Sequence, residues 1–458
     1  MDSPPHSSVV PRRLAEWLKA PAAFHMISYP DSVRFLYSLG NEMKSARLGL
    51  ERISALLAGL GHPERACRYV HVAGTNGKGS VCAMIDAGLR AAGVRTGLYT
   101  SPHLVEPTER IQVNGDDVSS ERFVAAFDRV HQTAERMIDA GELDSHPSYF
   151  EAITAMAFVL FGEMAVETVV LEVGLGGRLD ATNVVQPELC VITPIDYDHE
   201  AWLGSSLEQI AYEKAGILKP GMPAVFSRQR PEALAVLERR AAELGVPVTH
   251  TAGWRVTDLE LDARGSRFRA EGPVSVRVEC PLAGEHQVEN ALTAVAALHQ
   301  WGVPVEAVER GIPRAQWPGR LEMVSTSPEI ILDGAHNPAG IRALAGYIER
   351  FHAHRRRWLI YGAMRDKSLG EIAGILAPLA EQIILTAPRS PRAMRPEALR
   401  GLLDHPCVRL AEGLPQALEM AREAAPDDVI FIAGSLFLVG EYLAFARRGG
   451  ATARKGVP

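Results

Sequence analysis

The feature that most constrains the fold of this chain is a glycine-rich segment, HVAGTNGKGS, at residues 71–80. Residues 68–73 (RYVHVA) have the character of a buried strand, and residues 81–92 repeat apolar side chains with helical spacing. A glycine-rich turn between a strand and a helix directs backbone N–H groups and a helix N-terminus at one anion. Lys78 can add its charge to the terminal phosphates. The segment therefore predicts a loop that binds ATP or GTP.

The loop departs from the common P-loop pattern, G-x-x-x-x-G-K-[ST], at two positions. Its upstream glycine is Gly74, and the residue after the lysine is Gly79, which has no hydroxyl for a magnesium ion. Either Ser80 moves within reach of the metal or another residue supplies the oxygen. Ser101, which follows a strand predicted at residues 95–99, is a candidate.

The composition is that of an ordinary globular protein. Its 458 residues suggest two or three domains, and 47% of them are apolar and 22% charged. A net charge of -7 gives no reason to expect nucleic acid as a partner. Five cysteines without a C-x-x-C pair indicate a reducing compartment. Because no apolar run approaches the ~18 residues of a membrane helix and the N-terminus lacks a signal-peptide core, we expect a cytoplasmic protein that does not bind membranes.

Strand-like and helix-like segments alternate from residue 68 to about residue 225. Residues 247–282 change to an apolar–polar alternation, which predicts antiparallel strands. The earlier, continuous apolar runs predict a parallel sheet buried on both faces, with strands near residues 68–73, 95–99, 167–173, 189–193 and 223–227.

Residues 311–318 (GIPRAQWP) are interpreted as a linker, and after them strand-like and helix-like segments alternate again over a shorter stretch. Its strands are predicted at residues 329–335, 357–364, 382–388 and 428–434. The expected fold is α/β: a P-loop parallel-sheet domain with a small antiparallel β region, then a smaller Rossmann-like α/β domain. The predicted divisions are a flexible tail at 1–25, a P-loop central domain at 26–312, a C-terminal domain at 319–446 and a flexible tail at 447–458.

Several polar residues fall where α/β sites are usually built, at the carboxyl ends of strands. His199 follows the strand at 189–193 and is either a site residue or a satisfied loop histidine. Glu151 lies at the start of a helix that has an apolar face. It is either a metal ligand or a carboxylate that the helix dipole favours. Lys214, on a helix, has the pattern of a solvated charge. Residues 333–338 (DGAHNP) follow a strand of the second domain. They form either part of a functional site or a turn that caps a helix.

Ten stretches of the chain, spanning residues about 30 to 440, form a recognisable set: HVAGTNGKGS, YTSPHL with ERIQVNG, YFEAIT, LEVGLGGRLDATN, DHEAWLG, YEKAGILKPG, LAGEHQVENALTA, WPGRLE, LDGAHNP and YGAMRDK. In this order they resemble the folylpolyglutamate synthase/dihydrofolate synthase family of the Mur-ligase superfamily. The SPHL form of the second stretch is similar to the bifunctional bacterial members, whereas DYDHEAWLG departs from the commoner glycine-containing version.

The resemblance implies a role for each matching residue. Ser101 and Glu151 would bind one Mg²⁺, and Glu151 with His199 a second. Lys214 matches a carbamylated lysine that helps to hold the second ion, which replaces its reading as a solvated charge. His336 would help to position the incoming amino acid. The ATP-binding set implied by the resemblance is Gly74, Thr75, Asn76, Gly77, Lys78, Gly79, Ser80, Asn290, Arg320 and Asp333.

The implied reaction is ATP-dependent ligation of L-glutamate to dihydropteroate, to a folate, or to both, through an acyl phosphate. The catalytic set would be Lys78, Glu151, His199, Lys214 and His336. Contacts to the pterin are expected from His103, Arg110 and Phe158, although Phe158 has an equally good reading as a core residue of its helix. We expect a monomer.

Three other functions compete with the bifunctional one. The chain could extend folates only, or it could ligate an amino acid to a UDP-muramyl peptide. SPHL and GRLDATN argue against the cell-wall substrate. A nucleotide-binding scaffold without ligase activity is a different class, and it has no need for Lys78, Glu151, His199 and Lys214 together.

Overall fold

The computed structural model describes residues 28–40, 49–365 and 369–449. The N-terminal tail predicted at 1–25 and residues 450–458 of the predicted C-terminal tail lie outside these ranges. Residues 447–449 belong to the last helix, Leu436–Gly449, so the predicted start of that tail is too early. Within the described ranges, no helix combines the length and the apolar character that crossing a membrane requires.

The first domain is built on one sheet that places the P-loop strand near its middle. Its strands are β1 Arg68–Ala73, β2 Thr96–Tyr99, β3 Ile111–Val113, β4 Asp116–Asp117, β5 Thr168–Glu172, β6 Leu189–Ile192, β7 Ala224–Phe226 and β8 Val248–His250. Their order is β4-β3-β2-β5-β1-β6-β7-β8, and the pairs are parallel except β2–β3 and β3–β4. The loops after β1, β5 and β6 therefore meet at one edge of the sheet.

Helices cover both faces of this sheet. Within the described residues they are α1 Tyr29–Ser38, α2 Glu51–Gly59, α3 Lys78–Ala91, α4 Ser120–Asp139, α5 Tyr149–Glu163, α6 Glu200–Leu203, α7 Leu207–Ala215, α8 Pro231–Leu244, α9 His286–Trp301 and α10 Val305–Gly311. Successive residues of a strand face opposite sides. Accordingly, Tyr69 joins a core with α1, α2, α4 and α5, whereas Val70 joins a core with α3 and α9.

The alternating segment forms the predicted antiparallel strands, β9 Arg255–Leu261, β10 Ser266–Glu271 and β11 Ser275–Cys280, in the order β11-β10-β9. Alternate residues of β10 and β11 are buried. Phe268, Val276 and Val278 join the core formed by α3 and α9. This small sheet packs against α9 and α10, and those two helices pack in turn against α3, which follows the P-loop.

The second domain is built on a six-stranded sheet. Its strands are β12 Glu322–Thr326, β13 Glu329–Asp333, β14 Arg357–Tyr361, β15 Gln382–Leu385, β16 Val408–Leu410 and β17 Val429–Ala433. Their order is β12-β13-β17-β14-β15-β16, and the pairs are parallel except β12–β13. Its helices are α11 Pro338–His352, α12 Leu369–Leu376, α13 Pro396–Arg400, α14 Leu414–Met420 and α15 Leu436–Gly449. Both faces of the sheet are buried, as its apolar strands predict.

Candidate active site

The P-loop has a backbone conformation with positive φ angles at Gly74 and Gly77, which glycine adopts without strain. Gly77 adopts a left-handed φ of 84° directly before α3. Thr75 N and Asn76 N donate to the Pro194 carbonyl at 3.0 and 3.2 Å, which ties the loop to the segment after β6. Lys78 Nζ donates to Thr75 O at 3.2 Å. The N-terminus of α3 and a lysine thus lie together, an arrangement suited to a polyphosphate.

Trp317 explains why the loop has glycine where most P-loops have a hydroxyl. A Cβ atom on Gly79 would stand 2.1 Å from Trp317 Cζ2, so only glycine fits beside the indole. Ser80 is buried, and its Oγ accepts a hydrogen bond from Gln287 Nε2 at 3.2 Å. Gln287 Oε1 accepts in turn from Asn290 Nδ2 at 2.9 Å. Ser80 and Asn290 therefore belong to one hydrogen-bonded chain beside the loop.

A cleft of about 520 Å³ lies between the two domains, at the carboxyl ends of β1, β5 and β6. Its volume is in the range of small-molecule sites. Its walls include all ten residues that the sequence predicts to contact ATP, Arg320 and Asp333 from the second domain among them. Ser101, His199, Lys214 and His336 line the same cleft.

Glu172, the last residue of β5, supplies a carboxylate to this cleft. Its Oε2 accepts a hydrogen bond from Ser101 N at 3.1 Å. Within the described part of the chain, no donor reaches its other oxygen, Oε1. Burial raises the pKa of Glu172, and the charges of Lys78 and Arg320 oppose that shift. A carboxylate beside a serine is a pair of hard oxygen donors, which suits Mg²⁺.

The structure corrects the position predicted for Glu151. This residue lies in the first turn of α5, where its Oε2 accepts from Ser148 N at 2.8 Å and from Ser148 Oγ at 2.6 Å. Arg52 Nε lies 3.1 and 2.9 Å from its two oxygens. Glu151 does not line the cleft. The cap and the ion pair use the whole carboxylate, so the predicted metal role of Glu151 is wrong; Glu172 is the acidic residue next to Ser101.

Lys214 is buried in α7 rather than solvated. Its Nζ donates to the Gly74 carbonyl at 2.7 Å, directly under the P-loop. Burial lowers its pKa to about 7, the charge of Lys78 adds to this effect, and Asp198 and Asp180 oppose it. A large part of the amine is therefore unprotonated near neutral pH.

His199 lines the cleft from the loop after β6. It has a left-handed φ of 54° and precedes α6. Its backbone N–H donates to Asp198 Oδ1 at 2.8 Å. This hydrogen bond and the start of α6 stabilise the strained backbone conformation of His199. Such strain is common at functional sites, where it fixes the position of a side chain.

Arg320 and Asp333 line the second-domain wall of the cleft, and their charges interact. Asp333 Oδ1 accepts from Ala335 N at 2.9 Å, and Oδ2 accepts from Leu321 N at 3.0 Å. Burial raises the pKa of Asp333, while the positive charge of Arg320 lowers it in part. The pair places a cation and an anchored carboxylate opposite the P-loop.

His336 and Asn337 connect the second domain to the first. His336 Nδ1 donates to Gly334 O at 2.8 Å, and its Nε2 lies 3.7 Å from Asp198 Oδ2. Asn337 Nδ2 donates to Asn76 Oδ1 at 3.0 Å and to Asp198 Oδ2 at 3.1 Å. The P-loop and the segment before His199 are thus bonded directly to the start of α11.

His103 and Arg110 form a separate cluster that does not line the cleft. Arg110 Nε donates to His103 Nδ1 at 2.8 Å, so His103 Nε2 carries the proton toward Tyr37 OH, 3.0 Å away. Tyr37 stacks on Tyr149 with ring centroids 5.6 Å apart. The cluster links α1, the loop after β2 and the start of α5.

Phe158 is a core residue, and its predicted contact with substrate is wrong. Its side chain has no exposed surface. Its ring packs edge-on against Tyr69 at a centroid distance of 6.0 Å. The reason is its position in α5, which is apolar on all sides and buried along most of its length.

Several residues of the cleft are not predicted from the sequence, among them Glu172, Asp198, Trp317 and Asn337. Glu172 carried a usable signal, because a charged residue ends an otherwise apolar strand. Asn337 belongs to the segment 333–338, for which the sequence predicts a site or a capping turn; it caps α11 and also bridges the domains. Trp317 lies in the predicted linker. A linker has no helical or strand periodicity from which the contact of Trp317 with Gly79 could be predicted.

Comparison with known proteins agrees with this arrangement. The Mur ligase middle domain matches residues 72–298, and the domain described as Mur ligase, glutamate ligase domain, matches residues 319–436. A dihydrofolate synthase/folylpolyglutamate synthase of Bacillus subtilis is 36% identical over 420 residues, covering 86% of this chain and 94% of its own.

Solved structures extend the likeness to three dimensions. Mycobacterium tuberculosis folylpolyglutamate synthase complexed with ADP has a TM-score of 0.85 at 33% identity, covering 91% of this chain and 98% of that one. Escherichia coli FolC in complex with DHPP and ADP has a TM-score of 0.82 at 32% identity, covering 92% of this chain and 100% of that one.

Some relatives are longer proteins. The chain spans 50% and 51% of two archaeal relatives, each 36% identical and named a probable bifunctional folylpolyglutamate synthase/dihydropteroate synthase. The matched domains, the full-length likeness to the bacterial proteins and the shared fold give one conclusion. The chain belongs to the folylpolyglutamate synthase/dihydrofolate synthase family of Mur ligases, a family of ATP-dependent ligases.

Proposed function

We propose that the protein ligates L-glutamate to dihydropteroate and to reduced folates, using ATP and releasing ADP and phosphate. One observation carries the proposal. Lys78 and the P-loop, the pair Ser101 and Glu172, and the second-domain residues Arg320 and Asp333 line a single cleft. Such a cleft can hold a nucleotide between the domains with its phosphates at the P-loop.

The chemistry follows from the weakness of a carboxylate as an electrophile. An oxygen of the acceptor carboxylate attacks the γ-phosphorus, and ADP leaves. The glutamate amine then attacks the acyl carbon, the C–O bond breaks, phosphate leaves and the amine loses a proton. Lys78 and the amides before α3 stabilise charge on the transferring phosphoryl group, with Arg320 on the opposite wall. His336 orients the incoming glutamate from the second domain.

Mg²⁺ fits the donors in the cleft. We propose that Ser101 Oγ and Glu172 hold one ion, and that Glu172, His199 and Lys214 hold a second. The fit rests on Glu172, a buried carboxylate of the cleft whose pKa is raised by burial in spite of the charges of Lys78 and Arg320, so that a further cation would stabilise its ionised form. The ions would neutralise charge that develops on the phosphates.

Lys214 suits a Mg²⁺ site only in a modified form, because Mg²⁺ prefers oxygen ligands to an amine nitrogen and an ammonium group would repel it. We propose that its neutral amine attacks CO₂, forming an N–C bond and releasing one proton, to give a carbamate with two oxygens. The lowered pKa, about 7, leaves the nucleophilic amine populated at neutral pH. Asn290 and the rest of the predicted ATP contacts keep their roles in this scheme.

The acceptor needs a surface for its pterin ring, and the cluster around His103 offers one. Arg110 lies over the Tyr149 ring at 5.3 Å, and Tyr37 stacks on the same ring. Of these rings Tyr37 is exposed, and an aromatic ring can stack on a pterin, so we propose that His103 borders its binding site beside Tyr37 and that the buried Arg110 holds His103 in place. Phe158 has no part in it.

The first experiment is ADP release by the purified protein with ATP, Mg²⁺ and L-glutamate. Dihydropteroate, a reduced folate monoglutamate and no acceptor are compared. Turnover with both acceptors establishes the bifunctional enzyme, and turnover with the folate alone identifies a polyglutamate synthase. Turnover with neither, in a protein that binds ADP, contradicts the proposal and leads to UDP-muramyl substrates or to a scaffold without ligase activity.

We also propose that the protein acts as a monomer in the cytoplasm. Two domains of the same chain complete the cleft, so no second copy is needed to build it. All five cysteines are free, in agreement with a reducing compartment. Light scattering coupled to gel filtration measures the mass, and a dimer at assay concentration would contradict the monomer.

A further inference from the structure

Two histidines and a glutamate converge in the first domain, away from the ATP cleft. His131 and Glu135 lie one turn apart on α4, and His146 lies in the segment between α4 and α5. One potential ligand atom from each side chain lies within 4.8 Å of the other two. The proposed ligation gives none of these three side chains a role.

The distances between these atoms resemble the edges of a tetrahedral metal site. His131 Nδ1 lies 3.3 Å from His146 Nε2, which lies 3.4 Å from Glu135 Oε1. The third edge, from His131 Nδ1 to Glu135 Oε1, is 3.9 Å. Metal–ligand bonds of about 2.0–2.2 Å at tetrahedral angles place two ligands about 3.3–3.6 Å apart. Two edges match, and a small movement of the half-exposed Glu135 closes the third.

The orientation of His146 also suits a metal ligand. Its Nδ1 lies 3.3 Å from the Pro147 carbonyl and donates to it, which leaves the lone pair of Nε2 directed at the other two groups. Histidines that bind metals commonly donate their second nitrogen in this way. Burial lowers the pKa of His131 to about 4 and also lowers the pKa of His146, which favours the neutral rings that bind metals.

Aromatic rings hold the two imidazoles in place. Phe35 of α1 lies 4.5 Å from the His131 ring and 5.3 Å from the His146 ring, measured between centroids. Phe127 stacks on His131 at 5.4 Å. The histidine side chains are only 11% and 19% exposed, so an ion between them would be shielded from most of the solvent.

We propose that His131, Glu135 and His146 bind one divalent transition-metal ion, for which Zn²⁺ is the best match, with water as the fourth ligand. Two imidazoles and one carboxylate favour Zn²⁺ over Mg²⁺ and Ca²⁺, which prefer oxygen. The ion ties α4 to the segment that ends at Ser148, the N-cap of α5. This site is separate from the Mg²⁺ ions of the reaction.

The competing interpretation is a hydrogen-bonded pair of imidazoles without metal. A proton on His131 Nδ1 can bond to the lone pair of His146 Nε2 across 3.3 Å. That arrangement leaves Glu135 Oε1 3.4 Å from the same lone pair with no proton between them. A cation shared by all three groups removes this repulsion.

The test is a titration of the full chain with Co²⁺, after removal of metals with a chelator and in the presence of excess Mg²⁺. Tetrahedral Co²⁺ absorbs strongly in the visible region, whereas octahedral Co²⁺ absorbs weakly. We expect one equivalent to produce the intense band and Zn²⁺ to displace it, since Zn²⁺ lies above Co²⁺ in affinity for such ligands. Absence of the band in the native chain would overturn the proposal.

Variants locate the ion. Glu135→Gln and His146→Gln keep the size of the side chains, and each should weaken Co²⁺ binding by at least about tenfold. His354→Ala, at an exposed histidine, and His199→Ala, in the ATP cleft, should retain the band. Zn²⁺ should raise the Tm of the native chain and leave that of Glu135→Gln unchanged. Equal Co²⁺ affinity in both ligand variants and the native chain would refute the site.

Discussion

Lys214 lines the cleft, and its burial there lowers the pKa of its amine. Its amine is bonded to the Gly74 carbonyl, and the fold lowers its pKa from 10.5 to about 7. Between these pH values the unfolded chain binds a proton that the folded chain does not, so this lysine makes stability rise with pH. Below pH 7 the amine is protonated in both states, and the penalty for burying it is constant.

We expect Lys214→Met to lose ligation and to lose this rise in stability between pH 7 and 10.5. Methionine fills similar space without an amine to desolvate, so the variant should be at least as stable as the native chain at pH 7. Urea denaturation of both proteins in buffer free of carbon dioxide, within and below this pH window, measures the difference. An unchanged pH dependence would contradict a buried amine of low basicity.

Glu172 and Glu151 form a paired test of the metal site. Glu172→Gln should abolish ligation with little effect on folding, because the amide can still accept from Ser101 N but binds Mg²⁺ poorly. Glu151→Ala should lower the free energy of unfolding by about 2–3 kcal/mol, since it leaves Arg52 and the α5 N-terminus without their partner. Turnover and urea midpoints separate the effects. Loss of turnover in a stable Glu151→Ala protein would return Glu151 to the metal site.

The structural role of Glu151 was readable from the sequence, whereas that of Glu172 was only partly so. Ser148 and Glu151 stand three residues apart before an apolar run, which is the capping-box pattern, and the structure contains that box. Glu172 ends an apolar strand, where functional groups of parallel sheets often lie. That β5 pairs with β1 is a long-range property, however, because β2, β3 and β4 intervene along the chain.

At the scale of elements, the start of α3 is fitted to the Trp317 indole. Gly79→Ala should destabilise the chain by about 1–3 kcal/mol and weaken ADP binding, because the new Cβ would stand 2.1 Å from the indole. Adding Trp317→Ala opens that space and should recover most of the lost stability. Thermal denaturation and ADP binding of the single and double variants measure both effects. Additive changes would mean that the two positions are not coupled.

The central strands of the two large sheets were predictable from sequence, whereas three of their edge strands were not. β1, β5, β6 and β17 are continuous apolar runs because helices cover both of their faces. β8 and β16 have three residues each and lie at the edges of their sheets, and β12 is an edge strand of half-buried residues. With so few buried positions, these three strands have no apolar run or alternation to detect.

At the scale of the whole molecule, polar contacts close the cleft. Asn337 bonds to Asn76 and Asp198 at the P-loop end, and Arg447 of α15 lies 3.3 Å from Glu109 Oε1 at another contact between the domains. Contacts of this kind can be exchanged for water, so the domains can separate to admit substrates. Closure then keeps water from the acyl phosphate, which would otherwise be hydrolysed.

Asn337→Asp tests the bridge, since it keeps the oxygen that accepts from Gly340 N and caps α11. It replaces the Nδ2 donor with a carboxylate oxygen facing Asp198, and like charges so close should hold the domains apart. We expect kcat/KM for ligation to fall by at least about tenfold, or ~1.4 kcal/mol, with little change in Tm. Steady-state assays and thermal denaturation measure the two quantities.

Asn337→Ser is the matched control, because it keeps a capping side chain and adds no charge. Its loss of kcat/KM should be smaller than that of Asn337→Asp, and the difference between them isolates the repulsion from the lost hydrogen bonds. Small-angle scattering with ADP and Mg²⁺ should show a larger radius of gyration for Asn337→Asp alone. Ligation by Asn337→Asp at the native rate would contradict a role of this bridge in closure. The attraction between Arg320 and Glu172 across the cleft would then be the next contact to test.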